Sequence, residues 1–207
     1  MSITPQIGPL SALGPHTSPP GEITGVAFWP RVGARVIDFI VHYMVSIVAA
    51  FFFAILLVIA AGGHPNPQLS ERMRHTGIAV FAFSLLGSIA YEIVCEGVHG
   101  STLGKLTLGM VVVEEDGTPC RINSAVIRSF AYLVDALFFG LIGYMAMKGS
   151  RQMQRHGDEW ANTVVCKRTA IPTNNLRGGN QFAVALFFAV ILDAAFIIFG
   201  NFLNLIS

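Results

Sequence analysis

Residues 36–61 read VIDFIVHYMVSIVAAFFFAILLVIAA, and this run decides the fold class of the chain. Asp38 is its only Asp, Glu, Lys or Arg and His42 its only histidine, and both lie in its first third. The run is longer than the roughly 20 residues that a helix needs to cross about 30 Å of hydrocarbon. It predicts a membrane-spanning helix that ends in the glycine- and proline-containing loop GGHPNPQLSERMRH at 62–75.

Three more apolar stretches follow, at residues 76–95, 124–147 and 181–205. The whole chain is 53% hydrophobic and 12% charged, whereas a soluble domain carries about 25% charged residues. We therefore predict an all-α membrane protein, a polytopic helical bundle with three or four membrane segments. The net charge of +1 and the lack of a basic helix give no indication of nucleic acid binding.

Two short β-branched runs flank the third apolar stretch. They are GMVVV at 109–113 and NTVVC at 162–166, and the first is followed by the turn sequence EEDGTP. Because two isolated short strands would be unstable, we expect them to pair in a small cytoplasmic two-stranded β element.

The distribution of Lys and Arg tests this pairing. If the third stretch crossed the membrane, the cationic residues would divide almost evenly between the two sides. If it is re-entrant instead, Arg72 and Arg74 are the cations left outside. The positive-inside rule favours the re-entrant arrangement with a cytoplasmic N-terminus. Gly140 and Gly143, in FFGLIG, mark the expected turn.

Composition divides the chain into four parts. Residues 1–27 are rich in Pro and Gly and lack Lys and Arg, which predicts a flexible arm. Residues 28–168 form the membrane domain, 169–180 a linker, and 181–207 an additional C-terminal transmembrane helix.

Charged residues recur at helical spacing in the first membrane segment. Arg31, Arg35, Asp38 and His42 are separated by four, three and four residues, so they share one helix face. We expect Asp38 to pair with Arg35, which lowers the cost of bringing both into the interface. Two interpretations stay open: a topology anchor, or a polar track that handles an ion or solute.

The later segments also carry charges. Glu92 and Glu96 continue a stripe that begins with Ser84 and Ser88, where the serines are expected to serve close helix packing. Asp135 should be membrane-embedded, at a cost of about 2.5–3.5 kcal/mol unless it is paired.

The expected partners of Asp135 are Arg128, on the same face, or an arginine of the first segment. Asp193 lies at the centre of the last segment and is either protonated against another helix or paired with a charge.

Four ordered segments resemble the RDD family of small bacterial membrane proteins, which is named for one arginine and two aspartates. They are RVGARVIDFI at 31–40, TLGK at 102–105, VVEEDG at 112–117 and QRHGDEWANTVV at 154–165. The resemblance covers about residues 28–167. The sequence departs from the family at Glu159, Trp160 and Asn162, and the last segment lies outside the match.

The resemblance implies roles for particular residues. Arg31 and Asp38 stand at the family's arginine and first aspartate, and Asp158 is taken as the second aspartate, with Asp135 as the alternative. It also implies a bacterial inner-membrane location and a transport-related role, since some relatives are described as cation/proton antiporters. The candidate polar cluster for binding an ion or substrate is Arg31, Arg35, Asp38, Glu92, Glu96, Lys105, Arg128, Asp135, Asp158 and Asp193.

Two functions remain open. The first is a transporter, which for so small a chain requires a homo-oligomer in the lipid bilayer. The second is a non-catalytic accessory or assembly subunit docked on a larger membrane complex. The sequence has no nucleophile elbow, zinc-protease motif or Walker loop, so we expect no enzyme activity and no cofactor. The three cysteines and six histidines lack the spacing of metal ligands, so no metal site is predicted.

Overall fold

The computed structural model describes residues 23–63, 77–135 and 137–206. The elements in chain order are α1 (Phe28–Ala60), α2 (Ile78–His99), α3 (Leu103–Thr107), β1 (Met110–Glu114), α4 (Ile122–Asp135), α5 (Leu137–Gly149), α6 (His156–Trp160), β2 (Thr163–Lys167), two 3-10 turns (Arg168–Ala170 and Thr173–Asn175) and α7 (Gly179–Ile206). Within these residues, three helices are long and apolar enough to cross a membrane, namely α1, α2 and α7. The prediction of an all-α membrane protein with a small sheet is confirmed.

Helix α1 is longer than a membrane requires. Its 33 residues extend about 50 Å at 1.5 Å per residue, against about 30 Å of hydrocarbon. It begins at Phe28, eight positions before the predicted start at Val36. The extra turns carry Arg31 and Arg35.

The outer faces of the spanning helices are apolar and exposed. On α1, Phe39, Phe51 and Ile59 are 65%, 62% and 67% exposed, and on α7 Phe187 and Phe188 are also exposed. Water would make this surface unfavourable, but acyl chains match it. These faces are therefore suited to lipid.

The third apolar stretch is not one helix. Residues 122–135 and 140–149 are helical segments that meet at an angle of 112°. At the break, Phe138 has a φ of 52° and Gly140 a φ of 83°; glycine adopts this left-handed conformation without the steric cost of a Cβ. The bend falls at the predicted FFGLIG turn.

The two predicted strands pair as expected. β1 and β2 are antiparallel, with Met110 opposite Lys167 and Glu114 opposite Thr163. Because β1 precedes α4 and β2 follows α5, the pairing holds both ends of this helical hairpin at the same end of the bundle. The bend is compatible with a broken span or with a re-entrant loop.

The sheet lies in a cap, by which we mean residues 100–121 and 150–176. One face, with Met110, Val112 and Val165, packs on Ala34 of α1. The opposite face, with Val111 and Val164 among others, is covered by Ile171. Two strands alone are only marginally stable, and burial of both faces of the sheet provides the additional stability.

The segments next to the cap contact the sheet. Residues 23–27 are not a free arm, because Val26 donates its backbone N–H to Val165 O at 2.7 Å. The predicted linker at 169–180 packs against the sheet through Ile171 and Leu176. Residues 1–22 of the predicted arm, and residues 64–75 of the predicted loop with Arg72 and Arg74, lie outside the described residues.

Helix α7 packs inside its own chain. Ala189 lies with Tyr91 and Cys95 of α2 in one buried cluster, and Phe199 contacts Phe83 with ring centroids 5.0 Å apart. Near the cap, Arg177 donates to Gly97 O at 2.6 Å. The additional helix is thus an integral member of the bundle.

Candidate functional site

Asp158 lies at the centre of a buried ion-pair cluster. Its carboxylate accepts from the guanidinium groups of Arg31 on α1 and Arg128 on α4. The backbone N–H of Arg155 donates to it at 3.1 Å. Asp158 is fully buried, and the two arginines are 7% and 4% exposed. One carboxylate thus joins the cap to two membrane-associated helices.

A second carboxylate continues this chain of charges. Glu96, near the end of α2, accepts from Arg128 Nε at 3.0 Å and from Lys105 Nζ. Arg128 therefore bridges Glu96 and Asp158. We call Arg31, Asp158, Arg128, Glu96 and Lys105 the charged network; each is buried. Every member has an opposite charge as its neighbour, which such burial requires.

Asp38 is held by neutral donors and not by an arginine. Thr102 Oγ1 donates to it at 2.6 Å, Gly104 N at 2.8 Å and Tyr91 OH at 3.2 Å. The predicted Arg35–Asp38 pair is therefore wrong, because Arg35 contacts Glu92 of α2. Tertiary contacts outweigh the local spacing that suggested the pair.

The TLGK segment is built for this contact. Thr102 caps α3 by accepting from Lys105 N at 3.3 Å. A Cβ on Gly104 would lie 2.0 Å from Ala34 O, so a side chain at this position would collide with α1. The absence of that side chain brings the Gly104 N–H to Asp38, while Lys105 extends to Glu96.

Asp135 also has a partner other than those predicted. Its carboxylate is 3.1 Å from His156 Nδ1 and accepts from Gly157 N at 3.3 Å. The expected partners, Arg128 or an arginine of α1, are wrong because both Arg128 and Arg31 bind Asp158. Asp135 therefore ties the end of α4 to α6.

Asp193 meets a partner across the bundle. Its Oδ2 is 2.8 Å from His42 Nδ1, and His42 Nε2 is 2.9 Å from Ser84 Oγ. The contact joins α7, α1 and α2. Ser84, predicted to serve only close packing, takes part in this hydrogen bond. Asp193 lies apart from the charged network, so the ten candidate residues do not form one cluster.

A cavity of about 320 Å³ lies beside the network, between α1, α4 and α5. We call it the charged cavity. Its wall includes the ionisable residues Arg31, Arg35, Asp38, Lys105, Asp135 and Arg155, together with Tyr132 and Gly143. Glu92, Glu96, Asp158 and Asp193 do not line it. The residues of the predicted candidate cluster that line the cavity are Arg31, Arg35, Asp38, Lys105 and Asp135, whereas Arg155 was not among the predicted residues.

Tyr132 organises the cationic side of the charged cavity. The guanidinium carbon of Arg35 lies 3.9 Å from the centre of its ring, and that of Arg155 lies 5.6 Å away. Contacts of this kind are stabilising, and more so when they are shielded from water. Helical spacing placed Tyr132 on the face of Arg128 and Asp135, but it gave no indication of a contact with α1.

The charges around Asp158 in the cap favour its ionised form. Burial alone would raise the pKa of Asp158, but the charges of Arg128, Arg31 and Arg155 outweigh burial and hold that pKa well below its usual range. For Lys105 the balance is reversed: burial lowers its pKa, and the charge of Glu96 offsets this only in part. Asp158 is therefore an anion at neutral pH.

Metal binding has little support in the part of the chain that is described. No group of three or more His, Cys, Asp or Glu side chains there is placed to hold a metal ion. The cysteines at 95, 120 and 166 are buried and free.

Comparison with known proteins accounts for the ordered motifs. The model of the RDD family matches residues 26–162. This chain belongs to the RDD family. It is also 24% identical over 151 residues to the uncharacterized protein YxaI of Bacillus subtilis (strain 168), a match that covers 70% of this chain and 95% of YxaI. No solved structure matches the chain significantly.

In this RDD chain the matched residues include the charged network and every residue that lines the charged cavity. Two of the network's contacts, Arg31 with Asp158 and Arg128 with Glu96, connect segments distant in sequence. The unusual Asn162 has a φ of 52°, a left-handed conformation that asparagine tolerates well. The matched region ends before α7, so His42 in the family region contacts an Asp193 that lies outside it.

Proposed function

We propose that this RDD protein transports a small charged solute across the bacterial inner membrane, with the cap and the N-terminus in the cytoplasm. The observation that supports the proposal is the charged cavity, whose volume lies at the lower end of the range for small-molecule sites. Ionisable groups within a membrane protein are costly to bury, and those that line a cavity are characteristic of ion and solute paths.

The charged network serves a different purpose in this proposal. Glu96 and Asp158 each contact two cationic side chains, so their oxygens have little capacity left for a cation. The network fixes the cap, and the cavity beside it receives the solute. Exchange of a cation for a proton through these two carboxylates is correspondingly disfavoured.

The orientation rests on the Lys and Arg distribution. With both ends of the α4–α5 hairpin on one side, the cationic residues outside the 64–76 segment share that side, and cytoplasmic segments are enriched in such residues. Three spanning helices and one hairpin form few walls for alternating access, so the proposal includes a homo-oligomer. We propose no enzyme activity and no nucleic acid partner.

Flux through purified protein tests the proposal. The full chain is reconstituted into liposomes, the uptake of sodium, potassium, phosphate and acetate is measured with radiolabelled ions, and a pH-sensitive dye inside reports any coupled proton movement. Saturable uptake of one of these, lost in Arg155→Gln and kept in Arg121→Gln, is expected. Arg121 is a suitable control because it is exposed and does not line the cavity. No flux, together with stable co-purification with an unrelated membrane complex, would instead support an accessory subunit.

A further inference from the structure

The charged cavity has an excess of positive charge in its wall. Four cationic side chains line it, Arg31, Arg35, Lys105 and Arg155, against two carboxylates, those of Asp38 and Asp135. Arginine presents a planar set of donors that matches carboxylate and phosphate oxygens. Three of the four cations are paired with carboxylates outside the lining, Arg31 with Asp158, Arg35 with Glu92 and Lys105 with Glu96, whereas the Nε of Arg155 has no hydrogen-bonded carboxylate.

The two carboxylates are already engaged from outside the cavity. Asp38 accepts three hydrogen bonds, from Tyr91, Thr102 and Gly104. Asp135 is held by His156 and by the backbone of α6. They are thus bound to neutral donors or to histidine and do not pair with the arginines of the cavity. Arg31 and Arg35 pair instead with Asp158 and Glu92, which do not line the cavity.

Arg155 has unused hydrogen-bonding capacity. Its Nε is buried and has no hydrogen-bond acceptor among the residues that the structure describes. The nearest carboxylate oxygen, Asp158 Oδ2, is 3.9 Å away and already accepts from Arg31 and from the Arg155 backbone. A buried donor without an acceptor is costly, and a bound oxyanion would remove that cost.

Arg35 provides a second donor at the same place. Its guanidinium contacts Glu92 through Nη1, which leaves other N–H groups near Tyr132. Arg155 approaches the same ring. Two arginines held against one ring, beside apolar Val32 and Val36, form a wall with charged and apolar parts.

We propose that the charged cavity binds an oxyanion, a phosphate or carboxylate group, between Arg35 and Arg155. This inference names the chemical class of the solute in the proposed function. It rests on the proposed function only for the statement that the bound oxyanion is transported. The oxyanion is either a free small molecule or the headgroup of an anionic lipid, and the chemistry of recognition is the same for both.

Calorimetric titration of the purified full chain in a non-ionic detergent tests the proposal. One arm uses inorganic phosphate, and the other uses micelles containing phosphatidic acid. Saturable binding in either arm is expected, and Arg155→Gln should weaken it about tenfold or more, the loss expected for one charge-assisted hydrogen bond. Arg121→Gln removes the same charge from an exposed position of the cap and should leave affinity unchanged.

Arg155→Lys guards against a folding defect, since it keeps the charge but loses the planar donor set. It should bind with an affinity between those of the wild type and Arg155→Gln. Binding of phosphatidic acid but not phosphate supports the site with a lipid as its source. No binding in either arm, or equal losses in Arg155→Gln and Arg121→Gln, overturns the proposal.

The flux assay separates this inference from the proposed function. Anion binding without flux leaves the oxyanion site standing and contradicts transport. Sodium or potassium flux without anion binding does the opposite, because it supports transport and overturns the oxyanion site.

Discussion

Replacing Asp158 by Asn should destabilise the protein more than any other isosteric change in the cap. Asn keeps the shape of the side chain but removes the charge that Arg31 and Arg128 share. Both guanidinium groups would stay buried beside a neutral amide. Removing one partner of a buried ion pair typically costs about 3–5 kcal/mol.

That cost predicts a measurable change in melting temperature. For a chain of this size, each 1 kcal/mol lowers the melting temperature by about 2–4 °C, so Asp158→Asn should lower it by roughly 6–20 °C. The assay is thermal unfolding of the purified chain in a non-ionic detergent. Asp116→Asn is the matched control, because Asp116 is exposed in the turn after β1.

The outcome that would refute this reasoning is equally specific. If Asp158→Asn melts within about 2 °C of both the wild type and Asp116→Asn, the contacts of Asp158 contribute little net stability. The charged network would then be an incidental arrangement, and the cap would depend on the apolar faces of the sheet.

Three further outcomes are expected. The pKa of Asp158 in the folded chain is below the value of about 3.9 that an aspartate has in an unfolded chain. Its contribution to stability is therefore complete above about pH 4 and decreases as the pH falls below that. The melting temperature of the wild type should fall more steeply below about pH 4 than that of Asp158→Asn. Gly104→Ala should reduce the folded yield in detergent, since its Cβ would lie 2.0 Å from a backbone oxygen of α1. Gly178→Ala, whose new Cβ would have no atom within 4 Å, should match the wild type. Equal yields of the two variants would contradict the close approach of Gly104 to α1. In a background without native cysteines, Glu159→Cys should resist a membrane-impermeant thiol reagent added from the periplasm and Ser70→Cys should react; periplasmic labelling at 159 would exclude the re-entrant topology.

Periodicity predicted which elements exist, but it did not predict how their charges pair. Spacing placed Arg35 and Asp38 on one helix face, which is correct because helical geometry is local. Their partners lie on other elements, Glu92 for Arg35 and Thr102 for Asp38, and no pattern within one helix encodes such contacts. A pair within one helix contributes little energy, so a partner on another helix decides whether Arg35 and Asp38 pair with each other.

The strands and the bend could be predicted because their signals are short-range. β-Branched runs beside an Asp-Gly turn indicate strands, and the two glycines of FFGLIG indicate a break. In contrast, the contact between His42 and Asp193 joins helices that are distant in sequence. The sequence shows that Asp193 needs a partner, but only the packing of α7 shows which one.

The pairing of β1 with β2 has a consequence for biogenesis. Arg31 leaves the ribosome long before Asp158, since the two residues are 127 positions apart. Until Asp158 is synthesised, Arg31 lacks its carboxylate partner, and until β2 follows, the start of α1 has no finished cap to bury it. Insertion of the first helices and closure of the cap are therefore separate events. In a nascent chain that stops after α5, Arg128 already has Glu96 as a partner, but Arg31 has no aspartate to neutralise it.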